Sequence, residues 1–386
     1  MKAAGYALVV LTAVNALGGL GACPPSPKPG DPLTGLTADE LDRFNRGREV
    51  FERAFTPETG LGPLFNANAC GECHEDPVTG GAGDEVENHI ALLRSDGFCD
   101  PLADQGGPVL QLFATPALKA ALGIDKEPVP DGVVRALRTT PDLLGFGLLD
   151  AVPERTILAL ADPDDRNRDG VSGRPNRFFD GRLGRFGRKA LVPTLAEFNA
   201  GAFVFEQGIT TPAIPSEESI GGQAIPPGVD PVAEPELSQS DLDLANDFVR
   251  FLAPPVRLPL DHEGELGRIV FGSIGCASCH VPSLSTGPNR VRALSDRTVE
   301  AYTDLLLHDM GAERGDICLG LALPQEFRTE PLMGLRLAHS FMHDGKAKSI
   351  EEAIRLHSGE ATGARNRFAR LSPARRAAVL KFLESL

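Results

Sequence analysis

The chain has 386 residues, 42% hydrophobic and 24% charged, enough to bury a core but without the repeated apolar runs of about 20 residues that a polytopic membrane protein needs. Lys+Arg 38 against Asp+Glu 53 leaves a formal charge of −15, a field that repels phosphate backbones and makes nucleic acid a poor partner. Aromatic usage is skewed to 20 Phe, with 2 Tyr and no Trp, and there are 7 Cys.

Met1-Lys2, an apolar stretch from Tyr6 to Val14 and the small residues up to Cys23 have the form of a secretory signal. Leu20-Gly21-Ala22-Cys23 resembles a bacterial lipobox, which implies cleavage before Cys23 and diacylglycerol on its sulfur; a plain signal peptide with an incidental Cys is the alternative. The following Pro-rich polar run cannot pack and reads as an extended tether. No Asp follows Cys23, so the expected location is the outer membrane facing the periplasm, or the cell surface, with the lipid as the only membrane attachment. The expected boundaries are 1–22 signal peptide, 23–36 tether, 37–258 an N-terminal c-type haem domain with an inserted loop-rich segment, and 259–386 a C-terminal cytochrome c-like domain.

Thr37 and Glu40 form a capping box ahead of Leu41, Phe44, Arg48, Phe51 and Phe55, whose spacing predicts an amphipathic helix. Cys70-Gly71-Glu72-Cys73-His74 then has the C-x-x-C-H spacing that puts two thiols on haem vinyl groups and an imidazole on iron. Asp165, Asn167, Asp169 and Gly170 reproduce the start of a calcium loop, with Asn176 at the twelfth position instead of a bidentate Glu; a solvated Asp/Asn turn is the alternative to Ca²⁺. Ser240 is expected to cap a helix carrying Leu244, Phe248, Phe251 and Leu252, which Pro254-Pro255 must stop.

A second C-x-x-C-H follows at Cys276-Ala277-Ser278-Cys279-His280. Two copies in an exported chain favour two covalently bound haem c groups over zinc or a redox pair, with His74 and His280 as proximal ligands. Gly47-Arg48-Glu49-Val50-Phe51 before the first motif is echoed by Gly267-Arg268-Ile269-Val270-Phe271 before the second, a faint repeat of two modules. Ser349 opens one late helix and Ser372-Pro373 another, the latter with Ala377, Leu380, Leu383 and Leu386 as its expected apolar face. Strand-like alternation is scarce, so the expected fold is mainly α, with two cytochrome c-like haem domains, long loops and a loop-rich intervening segment. Setting aside Cys23 and four haem thiols leaves Cys99 and Cys318, either a disulfide or two buried free thiols.

From about Leu36 to Leu386 the chain resembles the bacterial di-haem oxidoreductases, sometimes labelled thiol oxidoreductases and related to di-haem cytochrome c peroxidases. The segments that carry the resemblance are LFNANACGECH from Leu64, FGLLDAVPE from Phe146, DGVSGRPN from Asp169, GRFGRKA from Gly184, DLLLHDMG from Asp304 and FMHDG from Phe341. The resemblance implies a six-coordinate C-terminal haem that passes electrons and an N-terminal haem that performs redox chemistry. His357, at the relatives' distance after His343-Asp344-Gly345, then looks like the sixth ligand of the C-terminal haem, with Met310, Met333 and Met342 as thioether alternatives. His89 stands near the position of a removable distal His of the N-terminal haem; a loop His in the polar stretch from Asp84 is the alternative.

Glu206 falls where peroxidases carry a catalytic carboxylate, and Phe198 where they carry a Gln; Asn199, Gln207 and Gln111 are amides that could replace it. Lys189 and Arg185 are pocket candidates, with propionate binding as their plainer role, while His343, Arg328 and His308 are expected to serve propionates. Arg188 and Met333 occupy positions where the family commonly has Trp, which leaves Tyr302, the one Tyr of the mature chain, or direct tunnelling for electrons between haems. The implied function is a periplasmic, peroxidase-like di-haem oxidoreductase fed by small redox proteins or quinol-linked donors, acting on peroxide or a thiol. A di-haem electron carrier without its own turnover and a thiol- or protein-oxidising maturation enzyme are the alternatives.

Overall fold

The computed structural model describes residues 26–386, so the signal, Cys23 and the start of the tether lie outside it. Among the described residues there are eleven α-helices and ten short strands joined by long loops, and no helix is long and apolar enough to cross a membrane. The mainly α expectation holds.

Two helix pairs carry the architecture. α1 (Ala38–Phe51) is capped as expected, Thr37 accepting from the Glu40 N–H and Glu40 from the Thr37 N–H, and buries Phe44, Gly47, Val50 and Phe51. Leu41 is 41% exposed and Phe55 lies beyond the helix end, so the apolar stripe is narrower than its periodicity suggested. α2 (Leu195–Gln207) and α3 (Gln239–Phe251) follow, the latter capped by Ser238, two residues before the expected Ser240, and ending at Phe251 ahead of Pro254. α1 packs on α3, while α4 (His262–Ser273) packs on α6 (Pro373–Leu383); between these last two in sequence lies α5 (Ile350–Leu356).

The sequence repeat is the crossing point of each pair. A Cβ at Gly47 would stand 2.1 Å from the Leu244 carbonyl oxygen, and one at Gly267 would stand 1.9 Å from that of Ala378. Only glycine admits such close backbone contact. The Val and Phe that follow are buried in both copies. On α6 the buried residues are Ala378, Val379, Phe382 and Leu383, with Ala377 exposed, so the expected face is out of phase at its start.

The β structure missed by the alternation test is a small antiparallel sheet around β1 (Val86–Leu93). β2 (Cys99–Asp100), β3 (Val109–Leu110) and β4 (Val134–Thr139) all pair with it, with His89 opposite Val109 and Ala136. The largest core joins Phe44, Phe51, Phe248 and Phe251 to Leu284, Leu294, Val299 and Leu306, crossing the expected boundary at 258/259. Cys99 and Cys318 form a disulfide, and Arg174 bridges to Leu307, so the two halves are laced together outside the core as well.

Candidate functional site

Each C-x-x-C-H motif forms about one helical turn whose His follows directly. His74 Nδ1 donates to the Gly81 carbonyl at 3.0 Å and His280 Nδ1 to the Tyr302 carbonyl at 2.9 Å, so each neutral ring carries its proton on Nδ1 and has its lone pair on Nε2. A phenylalanine from the repeat packs beside each ring, Phe51 with its centroid 6.0 Å from that of His74 and Phe271 6.4 Å from that of His280. Burial lowers the pKa of both histidines, His280 to about 4, which keeps the imidazoles neutral as metal ligands require.

His357 faces His280 with ring centroids 6.4 Å apart, and its own Nδ1 donates to the Ala353 carbonyl at 2.7 Å. Two imidazoles on opposite sides of one metal ion, each nitrogen about 2 Å from it, place their centroids about 6 Å apart. The donor set at this end therefore fits a bis-histidine iron. Tyr302 lies behind it, wedged between Phe271 and Phe382, with its backbone fixing the His280 tautomer.

The N-terminal centre is built differently. His89 Nε2 is held by Glu87 at 2.9 Å, on the same face of β1. Glu206, near the end of α2, accepts from Asn66 Nδ2 at 2.8 Å, and its backbone oxygen accepts from the Asn66 N–H at 2.6 Å, which fixes the carboxyl beside the loop that leads into Cys70. Gln207 donates to Cys70 Sγ at 3.1 Å and leaves Oε1 buried without a partner. Burial, and then repulsion from Glu87, push the Glu206 carboxyl well above the usual carboxylate range. Burial acts on Glu87 in the same direction, but the hydrogen bond and charge of His89, with Arg188, work against it and Glu87 is held below that range. One carboxyl keeps its proton and its neighbour gives it up, a division that suits acid–base chemistry.

Several expected site residues lie elsewhere. Gln111 is behind α2, its amide donating to the carbonyls of Val204 and Phe205 and to Glu218. Asn199 bonds Asn246 at the α2–α3 crossing, and Phe198 packs against the core. Lys189 is not a pocket residue: Nζ is caged by the carbonyls of Leu323, Pro324 and Glu326, 3.0 Å from Asp316 and 3.7 Å from the Phe327 ring centroid. Burial lowers its pKa to about 8. His343 belongs to the same buried cluster, stacked on Phe327 and 3.4 Å from Asp316. Arg185 caps the carbonyls of Leu149, Asp150 and Val152.

Arg328 donates to the Gly187 carbonyl and to Glu330, and its Nη1 is buried without an acceptor, as a propionate-binding guanidinium would be. His308, by contrast, has both nitrogens on carboxylates, Asp304 and Glu360. Asp165, Asn167 and Asp169 turn their side-chain oxygens onto the loop's own N–H groups, and Asn176 is 0% exposed and bonded to the Lys189 and Leu319 carbonyls, so it is withdrawn from any ion in that loop. The residue that sequence reasoning overlooked is Glu87, hidden in a run of acidic loop-like residues; its signal was the two-residue spacing to His89 on a strand.

The family model described as "Di-haem oxidoreductase, putative peroxidase" matches residues 123–386, which include Glu206 and the second C-x-x-C-H motif while the first precedes the match. No curated protein matches the chain. Among solved structures, Kuenenia stuttgartiensis hydrazine synthase is 14% identical with a TM-score of 0.40, over 99% of this chain and 100% of that one. A MauG-like protein associated with microbial copper homeostasis is 14% identical with a TM-score of 0.41, over 94% of this chain and 93% of its own. The diheme peroxidase BthA from Burkholderia thailandensis is 14% identical with a TM-score of 0.39, over 89% and 86%. With about two thirds of its length matched by one family model, this chain belongs to the di-haem oxidoreductase family.

Proposed function

We propose that this chain is an exported di-haem c-type oxidoreductase that reduces peroxide, with the C-terminal centre storing an electron and the N-terminal centre meeting the substrate. The observation that carries this reading is the asymmetry of the two histidine centres: His280 faces His357, whereas the imidazole nearest in sequence to His74 is tied to Glu87 and a protonated Glu206 stands by. When bound, the haems supply the redox iron that takes up and delivers the electrons. Reducing one peroxide to two waters takes two electrons and two protons, and this chain's own residues serve the proton side.

Glu206 holds a proton beside Cys70, oriented by Asn66, and can give it to the departing hydroxide; ionised Glu87 can take one from the incoming peroxide. The Gln207 amide, rather than one at position 198, is the donor placed at this centre. Export is supported by the Cys99–Cys318 disulfide and by the two attachment motifs, since both need an oxidising compartment or its maturation route. Glu206→Gln in the haem-loaded protein is expected to lower peroxide turnover by about 10²-fold or more while leaving the visible spectra of both haems intact. Unchanged turnover in that variant would remove Glu206 from the mechanism.

A further inference from the structure

We propose that His308 sets the redox potential of the C-terminal haem by holding a fixed positive charge against its attachment sulfur. The inference rests on the haem reading above and adds a role for a residue whose two ring nitrogens are both taken by carboxylates. His308 lies on β5 (Leu307–Asp309) and is 3% exposed. Its Nε2 is 2.8 Å from Asp304 Oδ2 and its Nδ1 is 2.8 Å from Glu360 Oε2. An ionised carboxylate only accepts, so a ring with a carboxylate on each nitrogen carries a proton on each and is an imidazolium.

Both acceptors are themselves held in place by further donors. Asp304 Oδ1 takes the Leu306 N–H, and Glu360 takes the Ser172 N–H and hydroxyl and the Asp309 N–H. Burial opposes a charge on the ring, but the hydrogen bonds to Asp304 and Glu360 work against it, and His308 is held well above the ordinary histidine value.

The position of this charge is what gives it a function. Cys279 Sγ is 3.5 Å from His308 Nδ1, so the cation is the part of the cluster in contact with the sulfur that would carry the haem thioether. Adding an electron to a haem is favoured by a nearby positive charge and opposed by a negative one, the more so where water is excluded. His308 therefore raises the potential, while Asp304 and Glu360 hold it down. His280 Nδ1 is bonded to the Tyr302 carbonyl and not to this cluster, so a change at position 308 leaves the tautomer of the axial ligand in place.

The test is a redox titration of the purified haem-loaded protein at pH 8, following the low-spin C-terminal haem optically. His308→Gln, which keeps a donor and removes the charge, is expected to shift its midpoint potential negative, and Glu360→Gln is expected to shift it positive. Shifts of opposite sign support the proposal, since a merely structural contact would not reverse sign with the charge removed. No shift in either variant, or shifts in the same direction, overturn it. Should His308→Gln fail to fold, His308→Asn, which also removes the charge, decides in its place: a negative shift supports and an unchanged potential overturns. Peptide mass spectrometry distinguishes the other failure, because no haem mass at Cys276 and Cys279 would overturn the haem reading and this inference with it.

Discussion

Four carboxylates, Glu217, Asp230, Glu234 and Glu236, converge in the loop between α2 and α3 with their oxygens within 4.8 Å of one another. Glu217 Oε1, Asp230 Oδ2 and Glu236 Oε1 are buried without a donor. Burial and mutual repulsion push Glu217 up to about 10 and Glu236 up to about 8. A group whose folded pKa is raised holds a proton that the unfolded chain releases near 4.3, so its stabilisation is present below that value and is lost as pH rises through the folded pKa. The melting temperature is therefore expected to fall between pH 5 and pH 9, and Glu217→Gln to raise it at pH 9 and flatten the dependence; a melting temperature that climbs over this range contradicts the assignment.

At this scale the sequence was most legible where spacing alone defines chemistry, as in Cys70, Cys73, His74 and their C-terminal counterparts. Lys189 was misread because the carbonyls that cage it come from residues more than 130 positions away, and Glu87 was overlooked because its partner His89 shares its face only once β1 has formed.

Among the elements, the two glycine crossings give the clearest energetic expectation. Gly47→Ala or Gly267→Ala drives a methyl into a partner backbone carbonyl and is expected to destabilise by about 1–3 kcal/mol, as overpacking does. Gly272→Ala, in α4 with open space around its Cβ position, should instead stabilise by about 0.5–1 kcal/mol through helix propensity. Denaturant melts of the three variants check both signs, and equal effects at Gly267 and Gly272 would show that the crossing is not tight. Helix positions were legible because caps and apolar spacing are local: Thr37, Ser349 and Ser372 all cap as expected. The phase of the α6 face was not, since Gly267 chooses which side of α6 is touched. The β1 sheet was hidden because its longest pairing, with β4, joins strands more than 40 residues apart.

Over the whole molecule, the core and the buried ties outside it join the two halves. The Cys99–Cys318 disulfide closes a separation of 219 residues, and disulfides over long loops stabilise by about 2–5 kcal/mol. Cys99→Ser with Cys318→Ser is expected to lose that amount in equilibrium denaturation while retaining both haem spectra; an unchanged midpoint would show that the buried Arg138–Asp316–Lys189 cluster beside it suffices. Arg188 pairs with Glu330 at 2.8 Å, and its charge helps hold Glu87, on β1, below the usual carboxylate range.

Whether these centres divide their labour is read most directly from the visible spectrum of the half-reduced, haem-loaded protein before and after H₂O₂. One low-spin haem assigned to His280 and His357 and one haem that reacts rapidly with peroxide is the predicted result; two low-spin haems that ignore peroxide in every redox state would contradict it.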